Sequence, residues 1–444
     1  MFTVDALGPS GPYRARKQLV ITDVTGGEVA SVSLVPRLFV TRTMSALHKA
    51  SAMPLADRRR ALTIAGSLFA EDSADYVELV TRVSGLPRAD IQFAAETVAQ
   101  ACGSAYEAAC QGRPVGACES VVDEGGVWTR RGSVFAVHAA GNHPAVHSLW
   151  LQALALGYRV AVRPSRREPF TPYRLISALR TAGFGDDQVV LLPCEHDVAD
   201  EILRSADLGM VYGGDEVIAK YGSNPRVLPQ GPGRSKVLVT DDWEPALDVI
   251  VSSIAHHGGV GCINATGVLI EGDPAPLATA LAARLSALPD SVLPRYPLAG
   301  ALALRDHLAK RATGTQPLLG ADQLVTDLGD GSAVIRPALH LLPSADAPQL
   351  GAELPFPCAW VAPWNRADIA PLRNTLVLTA ITRDEELIAD LLDEPTIANL
   401  YVGNRPTHYF HPQLPHDSYL SDFLMRTKAV ARTPGESRSG THRM

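Results

Sequence analysis

Short runs of apolar residues punctuate the middle of this chain, separated by longer stretches in which apolar side chains return every three or four positions. The runs are Val134-Phe135-Ala136-Val137, Arg159-Val160-Ala161-Val162, Val189-Val190-Leu191-Leu192, Leu208-Gly209-Met210-Val211 and Val237-Leu238-Val239. Their length and β-branched content mark them as buried strands. Between them His147 to Leu156 reads as helical. Thr171-Pro172 opens a further helix, with threonine as N-cap and proline at the first helical position, Leu175, Ile176 and Leu179 on one face, and Gly183 at its end. Apolar strands alternating with helices predict a parallel sheet covered on both faces, a doubly wound α/β arrangement.

The flanks follow other patterns. Residues 1–45 alternate apolar and polar positions around Gly26-Gly27, as short strands or a hairpin do, and Met53 to Gln111 has the alanine-rich amphipathic period of helices. After Asp242 the α/β alternation restarts. A helix from Pro245 to His256 precedes a strand at Gly267-Val268-Leu269-Ile270, a helix from Ala275 to Leu288, and strands at Ala359-Trp360-Val361 and Leu376-Val377-Leu378. Residues 312–349, rich in Pro, Gly and Asp, read as loop. The predicted organisation is an N-terminal region and first α/β domain over 1–243, with a hairpin arm near 115–133. A second α/β domain covers 244–405, and a C-terminal segment with a frayed tail covers 406–444.

Composition narrows the function classes. A net charge of −7 over 444 residues, without long charge runs, argues against nucleic acid as partner. The six cysteines are scattered without a C-x-x-C pair, which suggests neither a disulfide framework nor a zinc site, and the expected metal content is none. The first residues lack a basic start followed by an apolar run, and no apolar stretch reaches membrane-spanning length. A cytoplasmic protein is expected.

The candidate chemistry lies in His256-His257-Gly258-Gly259-Val260-Gly261-Cys262-Ile263-Asn264. One thiol stands among glycines just before a strand, where a substrate can approach the sulfur closely. That is the setting of a covalent nucleophile, although a free cysteine is often only a small buried hydrophobe. His256 and His257 are neighbours in sequence that could shift its protonation, or could be structural.

With these residues in view, the order of motifs over roughly residues 115–410 resembles the aldehyde dehydrogenase superfamily. Gly141-Asn142-His143-Pro144 is similar to the segment whose asparagine amide helps form the oxyanion hole. Arg163-Pro164-Ser165-Arg166 resembles the segment that holds the adenosine ribose. Tyr212-Gly213-Gly214-Asp215-Glu216-Val217 resembles the helix start that meets the pyrophosphate. Gln230-Gly231-Pro232-Gly233-Arg234-Ser235-Lys236 resembles the family's Glu-Leu-Gly-Gly-Lys-Ser-Pro segment, and Glu353-Leu354-Pro355-Phe356-Pro357 the segment that holds the nicotinamide ribose. The resemblance implies two doubly wound α/β domains, for cofactor and catalysis, with a small oligomerising arm in a homodimer or homotetramer. It implies Cys262 as nucleophile and Asn142 as oxyanion donor, with His143, His256, His257 and Gln230 as further residues of the site or its tunnel. It places a nicotinamide nucleotide on Arg163, Ser165, Arg166, Arg167, Gly213, Gly214, Val217, Glu353 and Phe356.

Two departures shape the expected reaction. Gln230 stands where hydrolytic members carry a glutamate that activates water, and glutamine cannot accept that proton. Arg166 and Arg167 stand where a carboxylate usually grips the ribose 2′-hydroxyl, which favours NADPH over NADH. The expected activity is therefore NADPH-dependent reduction of an acyl thioester, on coenzyme A or an acyl carrier protein, to an aldehyde through a thioacyl cysteine. The alternatives are oxidation of an aldehyde to a carboxylic acid with NAD(P), reduction of an acyl phosphate, and a non-redox binding or acyl-transfer member.

Overall fold

A computed structural model describes residues 2–118, 124–411 and 414–433. It is built on two seven-stranded sheets. In the first, Val227–Gln230, Leu208–Tyr212, Val134–His138, Arg159–Arg163 and Val189–Leu191 run parallel in that order. Two strands from the chain's beginning, Ala6–Gly8 and Gly11–Tyr13, extend the edge antiparallel. The period-two alternation sends Phe135, Val137, Val160 and Val162 into one core with the helices Leu55–Ala70, Arg88–Cys110 and Phe170–Thr181. Val134, Ala136 and Ala161 go into another with the helices Arg37–Lys49 and His196–Ser205. Burial on both faces explains why these strands read as unbroken apolar runs.

The second sheet has the order Gln316–Leu319, Ala338–Leu341, Cys358–Trp364, Ala265–Glu271, Ser235–Val239, Thr375–Ile381, Ile397–Val402, parallel except for its first strand. It too separates two cores: Leu238, Leu269, Trp360 and Leu378 on one face, Val237, Val268 and Ile270 on the other.

Four expectations change. Val237-Leu238-Val239, expected to close the first series, lies at the heart of the second sheet, between Ala265–Glu271 and Thr375–Ile381. Periodicity shows that a strand is buried but not which sheet it joins, and the change of sheet falls between Gln230 and Ser235 rather than at 243. The loop expected over 312–349 contains four strands of three or four residues, Gln316–Leu319, Val325–Asp327, Ser332–Ile335 and Ala338–Leu341, too short to stand out among their turns. The helix expected to be capped by Thr171 begins at Phe170. The Glu168 carboxylate accepts from the N–H groups of Phe170 (2.9 Å) and Thr171 (2.8 Å), so an acidic group takes the capping role. In the region of the expected hairpin, Glu124–Arg130 pairs antiparallel with Met425–Ala431, nearly 300 residues away in sequence; residues 119–123 lie outside the described residues. Among the described residues no helix is long and apolar enough to cross a membrane.

Candidate active site

Parallel sheets present their binding groups at the carboxyl ends of the strands. Here Asn142 follows Val134–His138, Ser165 and Arg167 follow Arg159–Arg163, Gly213 and Gly214 follow Leu208–Tyr212, and Gln230 ends its own strand. The second sheet contributes its opposite edge. Cys262 precedes Ala265–Glu271, Gly233 precedes Ser235–Val239, and Glu353 and Phe356 precede Cys358–Trp364. The site lies on the seam between these two edges.

The cysteine loop is fixed from several sides. Ser235 Oγ donates to the Cys262 carbonyl (2.9 Å), and Gly233 packs so closely that a β-carbon there would overlap the same carbonyl. Gly259, at φ +70, lies so near Pro357 that a side chain would also collide. Buried Asn264 ties the loop to the preceding helix. Its Oδ1 accepts from Gly261 N–H (2.8 Å), and its Nδ2 donates toward the carbonyls of His256 (2.9 Å), Ser253 (3.2 Å) and Ile254 (3.4 Å). Sequence reasoning passed over Asn264, although an amide at the threshold of an apolar strand is a signal for such a brace.

Asn142 reaches the same loop: its Nδ2 donates to the Val260 carbonyl at 3.0 Å. That acceptor fixes which end of the amide bears the hydrogens, and the second N–H remains for an oxyanion. The half-buried Cys262 thiol has an imidazole partner, His416 Nε2, at 3.6 Å. Desolvation pushes the thiol up to about 12, and the carboxylates of Glu353 and Asp417 act in the same direction. Desolvation lowers His416 from the ordinary imidazole value, with Asp417 opposing it. Both groups are therefore neutral at rest near pH 7.

The histidines picked out in the sequence lie elsewhere. His143 is buried and caps the turn Pro144–Ser148, its Nδ1 accepting from Ala145 N–H at 3.3 Å. Its ring lies 4.3 Å from that of His257, which lies 3.7 Å from His256, which lies 3.7 Å from His408. Ser252 Oγ meets His408 Nε2 (2.8 Å), and Asp90 lies 3.2 Å from His257 Nδ1. These four rings form a contiguous row beside the start of the cysteine loop, His256 and His408 face to face and the other pairs tilted. Burial holds His256 at about 3 and His408 at about 4. Gln230 is buried and places no carboxylate at its position. Phe356 lies in the core of the second sheet, packed behind Gly259 rather than facing the cleft.

Beside Gly233 runs a cleft walled by Gly214, Asp215, Pro232, Arg234, Gly351 and Glu353. Glu353 accepts from Arg234 N–H at 2.8 Å, and desolvation raises its pKa against that bond. Open space in front of Gly214 and a carboxylate on the opposite wall fit the phosphates and ribose of a dinucleotide. Arg234 and Asp215 pair across its mouth. Farther along the first sheet, Ser165 Oγ accepts from Arg167 N–H (3.2 Å), and a β-carbon on Gly141 would strike that hydroxyl. Arg166 is ion-paired with Glu195, which Lys17 also contacts at 2.6 Å. A carboxylate thus stands beside the arginines after all, supplied from the start of another helix. Arg163 is buried, with an Nη 3.4 Å from His196 Nδ1. Val217 packs on Gly213.

A half-buried thiol at the meeting edges of two doubly wound sheets, with an amide donor at its loop and a polar cleft alongside, defines a class of α/β enzyme scaffold. Residues 16–291, more than half of the chain, match the aldehyde dehydrogenase family. An NAD-dependent aldehyde dehydrogenase from Sinorhizobium meliloti superposes with a TM-score of 0.83 at 19% identity, covering 98% of this chain and 95% of that one. The 1-pyrroline-5-carboxylate dehydrogenase of Thermus thermophilus gives 0.82 at 17%, covering 97% and 92%. A malonate-semialdehyde dehydrogenase of Bacillus licheniformis is 27% identical over 268 residues, 56% of this chain and 55% of its own length, so the match spans about half of that relative. The chain belongs to the aldehyde dehydrogenase family.

Proposed function

We propose that this chain oxidises an aldehyde to the acid level with NAD(P)⁺ through a thioacyl intermediate on Cys262. The observation that carries this reading is the Cys262 loop, bonded by the Asn142 amide at its Val260 carbonyl and packed through Gly233 beside the cleft bounded by Gly214 and Glu353. The names of the relatives support oxidation over the acyl-thioester reduction expected from Gln230. Glu353, Gly213, Gly214, Ser165 and Arg167 would hold the nucleotide, whose nicotinamide ring supplies the hydride acceptor. The chain's own groups do the rest. Cys262 forms the bond to the carbonyl carbon, and the free N–H of Asn142 with the Cys262 backbone N–H stabilise the oxyanion, each such donor typically worth about 3–4 kcal/mol of barrier. Glu195 beside Arg166 supports NAD⁺, and Arg167, which has no ion pair among the described residues, supports NADP⁺.

A second reading keeps the oxidation but ends it on a thiol acceptor such as coenzyme A, and it rests on the missing carboxylate at Gln230. An aldehyde panel with NAD⁺ or NADP⁺, with and without coenzyme A, tests both by absorbance of the reduced nucleotide. Turnover without thiol supports hydrolysis, and turnover only with thiol supports the second reading. No reduced nucleotide from any aldehyde under either condition refutes the oxidation.

A further inference from the structure

We propose that His416 is the acid–base residue of this site, taking the proton of Cys262 on attack and later that of the water which releases the acyl group. This deepens the reading above and rests on it for the second step.

The Cys262–His416 contact is the foundation. Nε2 lies 3.6 Å from the sulfur, hydrogen-bonding range for a thiol. The imidazole is delivered by a held segment: the Asn399 amide donates to the His416 carbonyl and to that of Leu376, and four residues on Leu420 is buried in the first core. His416 as a residue reaches solvent, which gives a proton accepted there a way out. Gln230 offers no base, and Glu353 is occupied by the Arg234 N–H.

The steps balance. The Cys262 S–H proton moves to His416 Nε2 as sulfur bonds to the aldehyde carbon, and His416 passes that proton to solvent. A nicotinamide nucleotide held in the adjoining cleft would supply the two-electron acceptor for that carbon's hydride, which would leave a thioester on Cys262. Water then gives a proton to neutral His416 while its oxygen bonds to the acyl carbon. The C–S bond breaks, the departing sulfur takes the proton back from His416, and the acid ionises. Aldehyde, oxidised nucleotide and water become carboxylate, reduced nucleotide and two protons. A neutral imidazole is needed at the start of both halves, and its lowered proton affinity supplies it at rest; because desolvation also raises the thiol, transfer from sulfur is uphill and must be coupled to formation of the S–C bond, which consumes the thiolate as it forms.

The test uses the full chain with His416→Gln and His416→Ala. Alkylation of Cys262 by iodoacetamide at pH 7.5, mapped by mass spectrometry, needs neither aldehyde nor nucleotide. It should slow at least tenfold in both variants, and added imidazole should restore part of the rate in His416→Ala. With aldehyde and nucleotide, steady-state turnover should fall by about 10²–10³, the usual span for a general base, with acylated Cys262 accumulating. Alkylation and turnover within threefold of the parent in both variants would overturn the proposal. If the parent oxidises no aldehyde, the function above fails while the alkylation ratio still decides whether His416 acts on the thiol.

Discussion

Asn264→Ala should damage both stability and catalysis, and the size of the damage can be worked from its contacts. The amide has two N–H hydrogens for three carbonyls and one acceptor for Gly261 N–H. At most three good bonds are therefore lost, at about 1 kcal/mol each, with a further cost because the buried partners are left bare. A loss of about 3–4 kcal/mol follows, which in a domain of this size lowers the unfolding midpoint by roughly 6–16 °C. The loop that carries Cys262 would also lose its brace to His256. A displacement of an ångström at a reacting atom costs on the order of a hundredfold in rate. Thermal unfolding followed by circular dichroism gives the first number and steady-state oxidation the second. Asn264→Asp adds a sign test. A buried carboxylate facing three carbonyl oxygens must have its folded pKa raised above the unfolded value near ~4. That variant is then nearest the parent below pH ~4 and loses about 1.4 kcal/mol per pH unit as pH rises toward its folded pKa. A midpoint within 2 °C of the parent for Asn264→Ala, with turnover within about twofold, would refute the bracing role; both thresholds lie well inside the stated expectations.

Two further outcomes are expected. Gly233→Ala would drive a methyl into the Cys262 carbonyl, which cannot retreat because Ser235 Oγ holds it while Leu376 N–H fixes Gly233. Turnover should fall at least about a hundredfold with secondary structure retained, and an unchanged kcat would show that the seam relaxes. Burial holds His138, His147 and His256 at about 3 and His408 at about 4. Because their folded values are depressed, the unfolded chain takes up protons first, so stability is present above ~6.5 and is lost as pH falls toward 4. Differential scanning calorimetry from pH 7.5 to 4.5 should show this decline, and His256→Phe, which keeps a ring in the row, should make it shallower by about one proton.

The parallel strands were legible because burial on both faces leaves unbroken apolar runs, and the cysteine loop because its glycines have few other uses. Local pattern could not say that Val237-Leu238-Val239 had changed sheets, since both neighbouring cores demand the same side chains. The strands within 312–349 escaped because three residues give no period. His143 and His257 drew attention by adjacency in sequence, yet their rings lie tilted against each other. His416, which meets the sulfur, is 154 positions from it and stands in no motif of the site. Nothing local marks a contact of that span. Glu195 beside Arg166 is the same lesson at shorter range: a carboxylate missing from one motif was supplied from 29 positions away.

The pairing of Met425–Ala431 with Glu124–Arg130 sets an order of events during synthesis. By the time Met425–Ala431 leaves the ribosome, both sheets and the reactive sulfur have long been synthesised. The imidazole that serves that sulfur arrives with the segment this strand pins in place. A nascent chain that has not yet delivered this segment, or one clipped before it, would therefore carry a quiescent thiol, and competence would come later than either sheet.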